Sequence, residues 1–246
     1  MLARLSYRRY LLTLAVLLAV LWGALAIHPK FRQDWLLENA LFLVFVGALA
    51  LNHRRMPLSR ISYALIFLYS CLHLVGAHYT YSEVPYEQWS RALLGRSINE
   101  LFGLERNHFD RLVHFSHGLL LAYPVRELFL RVADVRGFWG YFLPLDVTMS
   151  TSLLYELIEW AGALGFGGDL GAAYLGTQGD QWDAQKDMAL ASLGALIAMT
   201  MTALINLRFR RDFAREWSES LRVKNPAPLG EEELARLRRT GGAPGR

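Results

Sequence analysis

The chain has 246 residues, of which 53% are hydrophobic and 20% are charged, and its formal net charge at pH 7 is +4. Its single cysteine, Cys71, excludes a disulfide framework and a thiolate metal cluster. The basic balance does not indicate nucleic-acid binding, because the excess arginines lie on particular loops, which is a membrane-topology signal. The apolar residues fall into six runs of about 17 to 25 residues, the length that a helix needs to cross a bilayer.

The first three runs predict membrane spans over residues 10–27, 35–51 and about 61–79. The first follows several arginines, and the triplet Ala24-Leu25-Ala26 resembles the cleavage site of a secretory signal peptide. Because this run is longer than a usual signal core and further spans follow it, we interpret it as an uncleaved helix. Pro57 and Ser59 mark the start of the third span, since proline and a capping hydroxyl suit a helix N-terminus.

The loop over residues 80–111 is predicted to contain two short helices. Pro85 can open the first, and the capping-box pattern formed by Ser97 and Glu100 can open the second. Their mixture of aromatic, apolar and charged residues is typical of helices that lie in the membrane interface. A solvated connecting loop is the alternative.

The last three spans are predicted over residues 107–130, 138–166 and 188–207, with Asn107 as the N-cap of the fourth. A glycine-rich connection precedes the sixth span and lacks the Gly-Lys-Ser/Thr ending of a phosphate loop. The predicted fold class is an all-α polytopic membrane helix bundle. It comprises a six-span membrane domain at residues 1–210 and a basic cytoplasmic tail at residues 211–246. The tail is expected to be a mobile appendage that ends in a short helix.

The distribution of arginines predicts that both termini are cytoplasmic. With the N-terminus inside, the segments predicted to be cytoplasmic contain Arg4, Arg8, Arg9, Arg54, Arg55, Arg60, Arg126, Arg131, Arg136 and the arginine-rich tail. Arg126 is expected to extend towards the headgroups. The outer loops carry fewer basic residues, and many acids offset them. This pattern predicts a multi-pass protein of a bacterial inner membrane.

Ionisable residues from several spans share one depth, in the predicted outer leaflet. They are Asp110, His114 and His117 on the fourth span, Glu156 and Glu159 on the fifth, Asp180, Asp183 and Asp187 at the sixth, together with Glu38, His73 and His78. The spacing of the first three residues places them on one helical face, and the same holds for the three aspartates if their stretch is helical. Because charges that faced lipid would be costly, these faces are expected to turn inward.

Three segments resemble a known family: HFDRLVHFSHGLLLAYPVRE at residues 108–127, YELIEW at 155–160 and YLGTQGDQWDAQKDM at 174–188. They look like the YjdF-type inner-membrane proteins, a family of unknown function, and the resemblance extends from the first span to about Arg210. A fainter likeness to VanZ-like membrane proteins lies in the Asp-x3-His start of one helix and the acidic entry to another. The resemblance implies six spans in an inner membrane and brings no established reaction.

The cluster predicts a divalent-metal site, because histidine nitrogen and carboxylate oxygen suit Zn, Mn or Fe. The candidate ligands are Asp110, His114, Glu156, Glu159, Asp180, Asp183 and Asp187. A bound metal could activate water against a lipid or envelope substrate, with catalytic roles for His114, His117 and Glu159.

Two alternatives remain open. The first is transport, or the binding of protons or a small ligand, although the polar residues crowd into one leaflet and leave no trail through the other. The second is a purely structural ion-pair network in which Arg111 and Lys186 neutralise the acids. The aromatic residues around the cluster are interpreted as membrane-interface anchors: Tyr155, Trp160, Tyr174 and Trp182.

Overall fold

The computed structural model describes residues 6–209, 212–224 and 228–240, which form eleven helices and no strand. In chain order these are α1 (Tyr7–Leu25), α2 (Arg32–Asn52), α3 (Arg60–Tyr79), α4 (Tyr86–Leu94), α5 (Ile98–Phe102), α6 (Phe109–Val132), α7 (Trp139–Phe166), α8 (Gly168–Leu175), α9 (Asp183–Phe209), α10 (Phe213–Ser220) and α11 (Leu229–Thr240). The all-α prediction is confirmed.

Six of these helices are long, and they coincide with the six predicted spans. By length and composition, α1, α2, α3 and α9 are apolar enough to cross a membrane. Helices α6 and α7 have 24 and 28 residues, which corresponds to roughly 36 and 42 Å of helix and is also long enough. Their composition is more polar because both helices carry ionisable side chains into the interior of the bundle.

The contact between α6 and α9 forms the centre of the bundle, and small residues make it possible. A Cβ atom at Gly118 would lie 1.9 Å from the carbonyl oxygen of Ala191, and one at Gly194 would lie 2.2 Å from that of Phe115. Ala122 and Ala195 are also fully buried at this contact. Small side chains let helix backbones approach closely in membranes, where van der Waals packing drives association. Helices α3 and α7 pack on α6, and α1 packs on α3.

Polar side chains cap the N-termini of α5 and α6. The capping box at α5 is confirmed, since the hydroxyl of Ser97 accepts from the backbone of Glu100 and the Glu100 carboxylate accepts from the backbone of Ser97. Helix α6 begins two residues after Asn107, whose side-chain oxygen accepts from the backbone N–H of Phe109 at 3.0 Å. The capping oxygen is therefore the predicted one, although His108 occupies the N-cap position.

The connections separate into two ends of the bundle. At the end that we call the inner end, the Tyr7 hydroxyl donates to the carbonyl of Leu58 at 2.6 Å, and the backbone N–H of Phe138 donates to the Ser220 hydroxyl at 2.9 Å. Helices α4, α5 and α8 and the turn before α9 lie at the opposite, outer end. The start of α1 and the end of α9 both lie at the inner end, which agrees with the predicted topology.

Two helices were not predicted. The glycine-rich connection contains α8, which folds back on the end of α7, where a Cβ atom at Gly171 would lie 2.6 Å from the carbonyl of Ala163. Helix α10 belongs to the predicted mobile tail, yet Phe213 and Trp217 pack against the buried cluster around Tyr141. The tail therefore begins with a helix that is packed on the membrane domain. Helix α11 matches the predicted terminal helix.

Candidate functional site at the outer end of the bundle

Helices α6, α7 and α9 direct five ionisable side chains into one buried group, which we call the acid–histidine cluster: Asp110, His114, Glu156, Glu159 and Asp187. His114 lies at its centre. Its Nε2 atom is 3.6 Å from Oδ1 of Asp110 and 3.5 Å from Oε1 of Glu156. The close contact of α6 with α9 holds these side chains together, because Gly118 and Ala191 lie one turn beyond His114 and Asp187.

Three members of the cluster could share a metal ion. Ligand atoms of Asp110, His114 and Asp187 all lie within 4.8 Å of one another. Tetrahedral zinc with bonds of about 2.1 Å would separate its ligands by roughly 3.4 Å, so small side-chain movements would complete the site. One nitrogen and two carboxylate ligands suit Zn, Mn or Fe and would leave positions open for water or substrate.

Two carboxylate oxygens of the cluster are buried without a hydrogen-bond partner among the described residues. Asp187 is 2% exposed, and neither its Oδ1 nor Oε1 of Glu156 has a hydrogen-bond partner within the described part of the chain. A buried carboxylate without a partner is strongly destabilising. Glu156 also shares a side-chain hydrogen bond with Glu159. The residues present therefore fit a divalent cation, which would neutralise the charges that burial makes costly.

A second buried polar network adjoins the cluster. The hydroxyl of Tyr155 on α7 donates to Oε2 of Glu38 on α2 at 2.6 Å, and its ring lies edge-on to that of His114 with centroids 5.9 Å apart. The Tyr81 hydroxyl lies 2.6 Å from Nδ1 of His73. Asp34, one turn before Glu38, is buried, and its Oδ1 has no hydrogen-bond partner among the described residues. Tyr155 thus connects the two groups of acids.

Sequence reasoning recognised only part of this network. The sequence predicts Glu38 at the depth of the cluster but not as a site residue, and it predicts Tyr155 as a membrane-interface anchor, which its bond to Glu38 contradicts. Tyr174 is also buried, whereas Trp160 and Trp182 are exposed as expected of anchors. The sequence does contain a signal for this network, which is the i, i+4 spacing of Asp34 and Glu38 at the start of the second apolar span.

Arginines cover the outer side of the cluster. Nη1 of Arg106 is 2.7 Å from Oδ1 of Asp183, and Nη2 of Arg111 is 2.5 Å from Oδ2 of Asp180 and 3.3 Å from Oδ1 of Asp183. Nζ of Lys186 is 2.5 Å from Oδ2 of Asp180. We call these five residues the ion-pair cap. Asp180 lies in the turn before α9, so it does not share a helical face with Asp183 and Asp187.

The cap separates the predicted metal ligands into two groups. The carboxylates of Asp180 and Asp183 form salt bridges with basic side chains. Arg111 and Lys186 are the partners that the sequence predicts, and Arg106 is a further partner. A metal role for these two aspartates stays a prediction. The sequence does not predict the salt bridge of Arg106 with Asp183, because it shows only that Arg106 lies in an outer loop.

His117 lies apart from the other predicted site residues. Its Nε2 is 3.5 Å from the Thr151 hydroxyl, and its ring lies edge-on to Tyr69 with centroids 5.7 Å apart. One helical turn thus moves His117 away from the carboxylates that surround His114. The predicted catalytic role of His117 stays a prediction.

The family assignment rests on a match that covers nearly the whole membrane domain. The family described as “Predicted membrane protein (DUF2238)” matches residues 10–208. The chain belongs to this family. It is also similar to “Inner membrane protein YjdF” of Escherichia coli (strain K12), with 40% identity over 202 residues, which are 81% of this chain and 91% of that protein. No solved structure matches the chain significantly.

Membership of DUF2238 confirms the predicted inner-membrane family and the multi-pass localisation in an inner membrane, so a lipid bilayer surrounds the spans. The likeness to VanZ-like proteins stays a prediction. In this DUF2238 chain the matched region contains both the acid–histidine cluster and the ion-pair cap.

The ion-pair cap predicts a specific pH dependence. Hydrogen bonds from Lys186 and from the backbone of Trp182 lower the pKa of Asp180 to about 2. A carboxyl group whose pKa is lowered by folding stabilises the fold above its unfolded pKa of about 3.9, and that contribution is lost as pH falls towards 2. We expect Asp180→Asn to lower the unfolding temperature by a constant amount above pH 5, and the difference from the wild type to shrink below pH 4.

Thermal unfolding of detergent-purified protein between pH 3 and 7 would measure this difference. Asp212→Asn is a suitable control, since Asp212 forms an exposed pair with Arg215 on the tail and exposed pairs contribute little. A difference between wild type and Asp180→Asn that persists unchanged to pH 3 would contradict the assignment.

Proposed function

We propose that this DUF2238 protein binds one divalent cation through Asp110, His114 and Asp187 and hydrolyses a lipid or envelope substrate at the outer leaflet. The convergence of these three ligands, together with the unpartnered buried oxygens of Asp187 and Glu156, is the observation that supports it. Zn, Mn and Fe are the metals that suit this mixture of nitrogen and oxygen.

The charges around the cluster favour a cation over a purely structural role. The nearest arginines direct nitrogens to Asp180 and Asp183. Among the described residues, no lysine or arginine forms a salt bridge with Asp187 or Glu159. So many acids at one buried position would repel one another. A divalent cation at the trio would offset this repulsion and the cost of removing the carboxylates from water.

The same arrangement can support hydrolysis. A cation there would lower the pKa of a bound water molecule. Glu156, whose Oε1 is 3.5 Å from Nε2 of His114 and has no hydrogen-bond partner, can accept the proton of that water, and Glu159 can hold the Glu156 carboxylate in place. The water oxygen would then bond to the electrophilic carbon or phosphorus as the bond from that atom to the departing oxygen breaks, and the proton held by Glu156 would pass to the departing oxygen.

Metal content tests the proposal directly. Full-length protein purified in detergent without chelator should contain about one divalent metal per chain by elemental analysis, and Asp187→Ala should reduce this to below about a tenth, because removing one of three ligands lowers affinity by roughly 100-fold. Asp134→Asn is the control, since Asp134 is exposed at the inner end. A wild-type protein that stays folded and takes up no Zn, Mn or Fe would overturn the proposal.

A proton- or ligand-binding membrane protein is the second candidate. The continuous contact from Glu38 through Tyr155 to His114 favours it, because linked ionisable and hydroxyl groups inside a membrane can relay protons. Proteoliposomes would separate the two functions. Proton-coupled flux that Tyr155→Phe abolishes would support this candidate, whereas metal-dependent turnover without flux would support the first.

A further inference from the structure

Arg126 occupies an unusual position at the inner end of the bundle. It lies on α6 six residues before the helix ends at Val132, and it is only 7% exposed. Its guanidinium carbon is 4.5 Å from the ring centroid of Tyr141. The guanidinium is thus packed within the bundle against this ring. Among the described residues Arg126 has no salt-bridge partner, and its Nε has no hydrogen-bond acceptor.

A buried arginine without an anionic partner is costly inside a membrane protein, because its charge has been removed from water and hydrocarbon cannot replace the hydration. The stacking on Tyr141 offsets part of this cost but supplies no negative charge. An acceptor from outside the chain would complete the coordination of Arg126.

A cavity of about 220 Å³ lies at this side chain. It is lined by Arg126, Leu130, Arg136, Gly137, Tyr141, Phe213 and Glu216. Two guanidinium groups and one carboxylate line it, and Arg136 is exposed and already paired with Asp134. The cavity therefore has the space for one anionic group, and Arg126 is the buried donor that such a group would meet.

An apolar groove continues from the cavity. It has a volume of about 440 Å³ and lies between α9 and α10, and Phe213 lines both the groove and the cavity. Leu204 and Leu207 of the groove are more than half exposed. An exposed apolar groove beside a basic cavity at the end of membrane spans matches the two parts of a phospholipid.

We propose that the inner end of the bundle binds one anionic phospholipid, with its phosphate against Arg126 and an acyl chain in the groove between α9 and α10. Basic cavities between membrane helices on the cytoplasmic side are a recurrent form of lipid recognition. The bound lipid neutralises Arg126 and packs against Phe213 and Trp217, so it attaches α10 to the membrane domain. This site is separate from the metal site and does not depend on its function.

Lipid titration of the full-length protein tests the site. After delipidation in detergent, native mass spectrometry would follow the binding of phosphatidylglycerol and of phosphatidylcholine. We expect about one tightly bound phosphatidylglycerol per chain and binding that is five- to tenfold weaker in Arg126→Gln, since one buried arginine contact with a phosphate is lost. Arg126→Lys should retain most of the binding, because it keeps the charge.

Matched controls separate the two parts of the site. Arg131→Gln removes an arginine from the same helix that pairs with Glu127 outside the cavity, and it should leave lipid binding unchanged. Ala214→Trp fills the groove at an exposed position while keeping Arg126, and it should also weaken phosphatidylglycerol binding. Inorganic phosphate should compete poorly, because it lacks the acyl chain.

Four results would overturn the proposal. One is a folded Arg126→Gln protein that binds phosphatidylglycerol as the wild type does. Another is equal binding of phosphatidylcholine, which carries no net charge. The third is full occupancy by inorganic phosphate at the same concentrations, which would indicate an anion site without a lipid. If Arg126→Gln does not fold, unchanged binding in Ala214→Trp would be the fourth, since the groove would then contribute nothing.

Discussion

Gly118→Ala is expected to separate α6 from α9 and to destabilise the membrane domain strongly. The added Cβ atom would lie 1.9 Å from the carbonyl oxygen of Ala191 and 2.6 Å from the backbone nitrogen of Ala195. Both are backbone atoms, so no side-chain rotation can relieve the overlap and the two helices must move apart. Overpacking of a buried contact costs about 1–3 kcal/mol, and a contact this close lies at the upper end of that range or above.

The same movement should weaken the metal site. Asp110 and His114 reach it from α6 and Asp187 reaches it from α9, so a wider spacing of the helices separates the ligands. Intrinsic tryptophan fluorescence during heating, combined with elemental analysis, would measure both effects.

Gly47→Ala is the matched control, because Gly47 lies within α2 and a Cβ atom there would meet nothing within 4 Å. Alanine also has the higher helix propensity, so this change should be neutral or slightly stabilising. Equal unfolding temperatures for Gly118→Ala and Gly47→Ala would show that α6 and α9 do not approach as closely as described.

The sequence was sufficient to predict features that depend on local order. Apolar runs of membrane length gave the six long helices, and the spacing of Ser97 and Glu100 gave a capping box. The i, i+4 spacing of Asp110 and His114 placed both on the face of α6 that is buried in the cluster. Each of these inferences needs only the helical repeat and the cost of exposing charge to hydrocarbon.

The parts that were missed depend on contacts between residues far apart in the chain. The pairing of Arg106 with Asp183 joins an outer connection to the first residue of α9, and the bond of Tyr155 to Glu38 spans 117 positions. No local pattern determines which of several outer arginines meets which aspartate. The small residues at Gly118 and Gly194 were a readable signal for close helix packing, but pairing α6 with α9 requires knowledge of their neighbours.

The second large effect is the difference in metal binding that we expect between substitutions at His114 and at His117. Both histidines lie on α6, less than one turn apart, but only His114 contacts the carboxylates of Asp110 and Glu156. His114→Ala is therefore expected to remove the bound metal almost completely, by at least roughly 100-fold in affinity. His117→Ala should keep about one metal per chain, because Nε2 of His117 lies near the Thr151 hydroxyl and its ring packs on Tyr69, away from the trio.

Elemental analysis of the two variants beside the wild type would measure this contrast, with unfolding temperature recorded for each. If the cluster is only an ion-pair network, both variants change stability and neither changes metal content. If both lose the metal, the site extends deeper along α6 than the trio of Asp110, His114 and Asp187. If only His117→Ala loses it, the ligand assignment to His114 is wrong. Because the two substitutions remove the same side chain from the same helix, a difference between them reports the position of the imidazole and not its general contribution to folding.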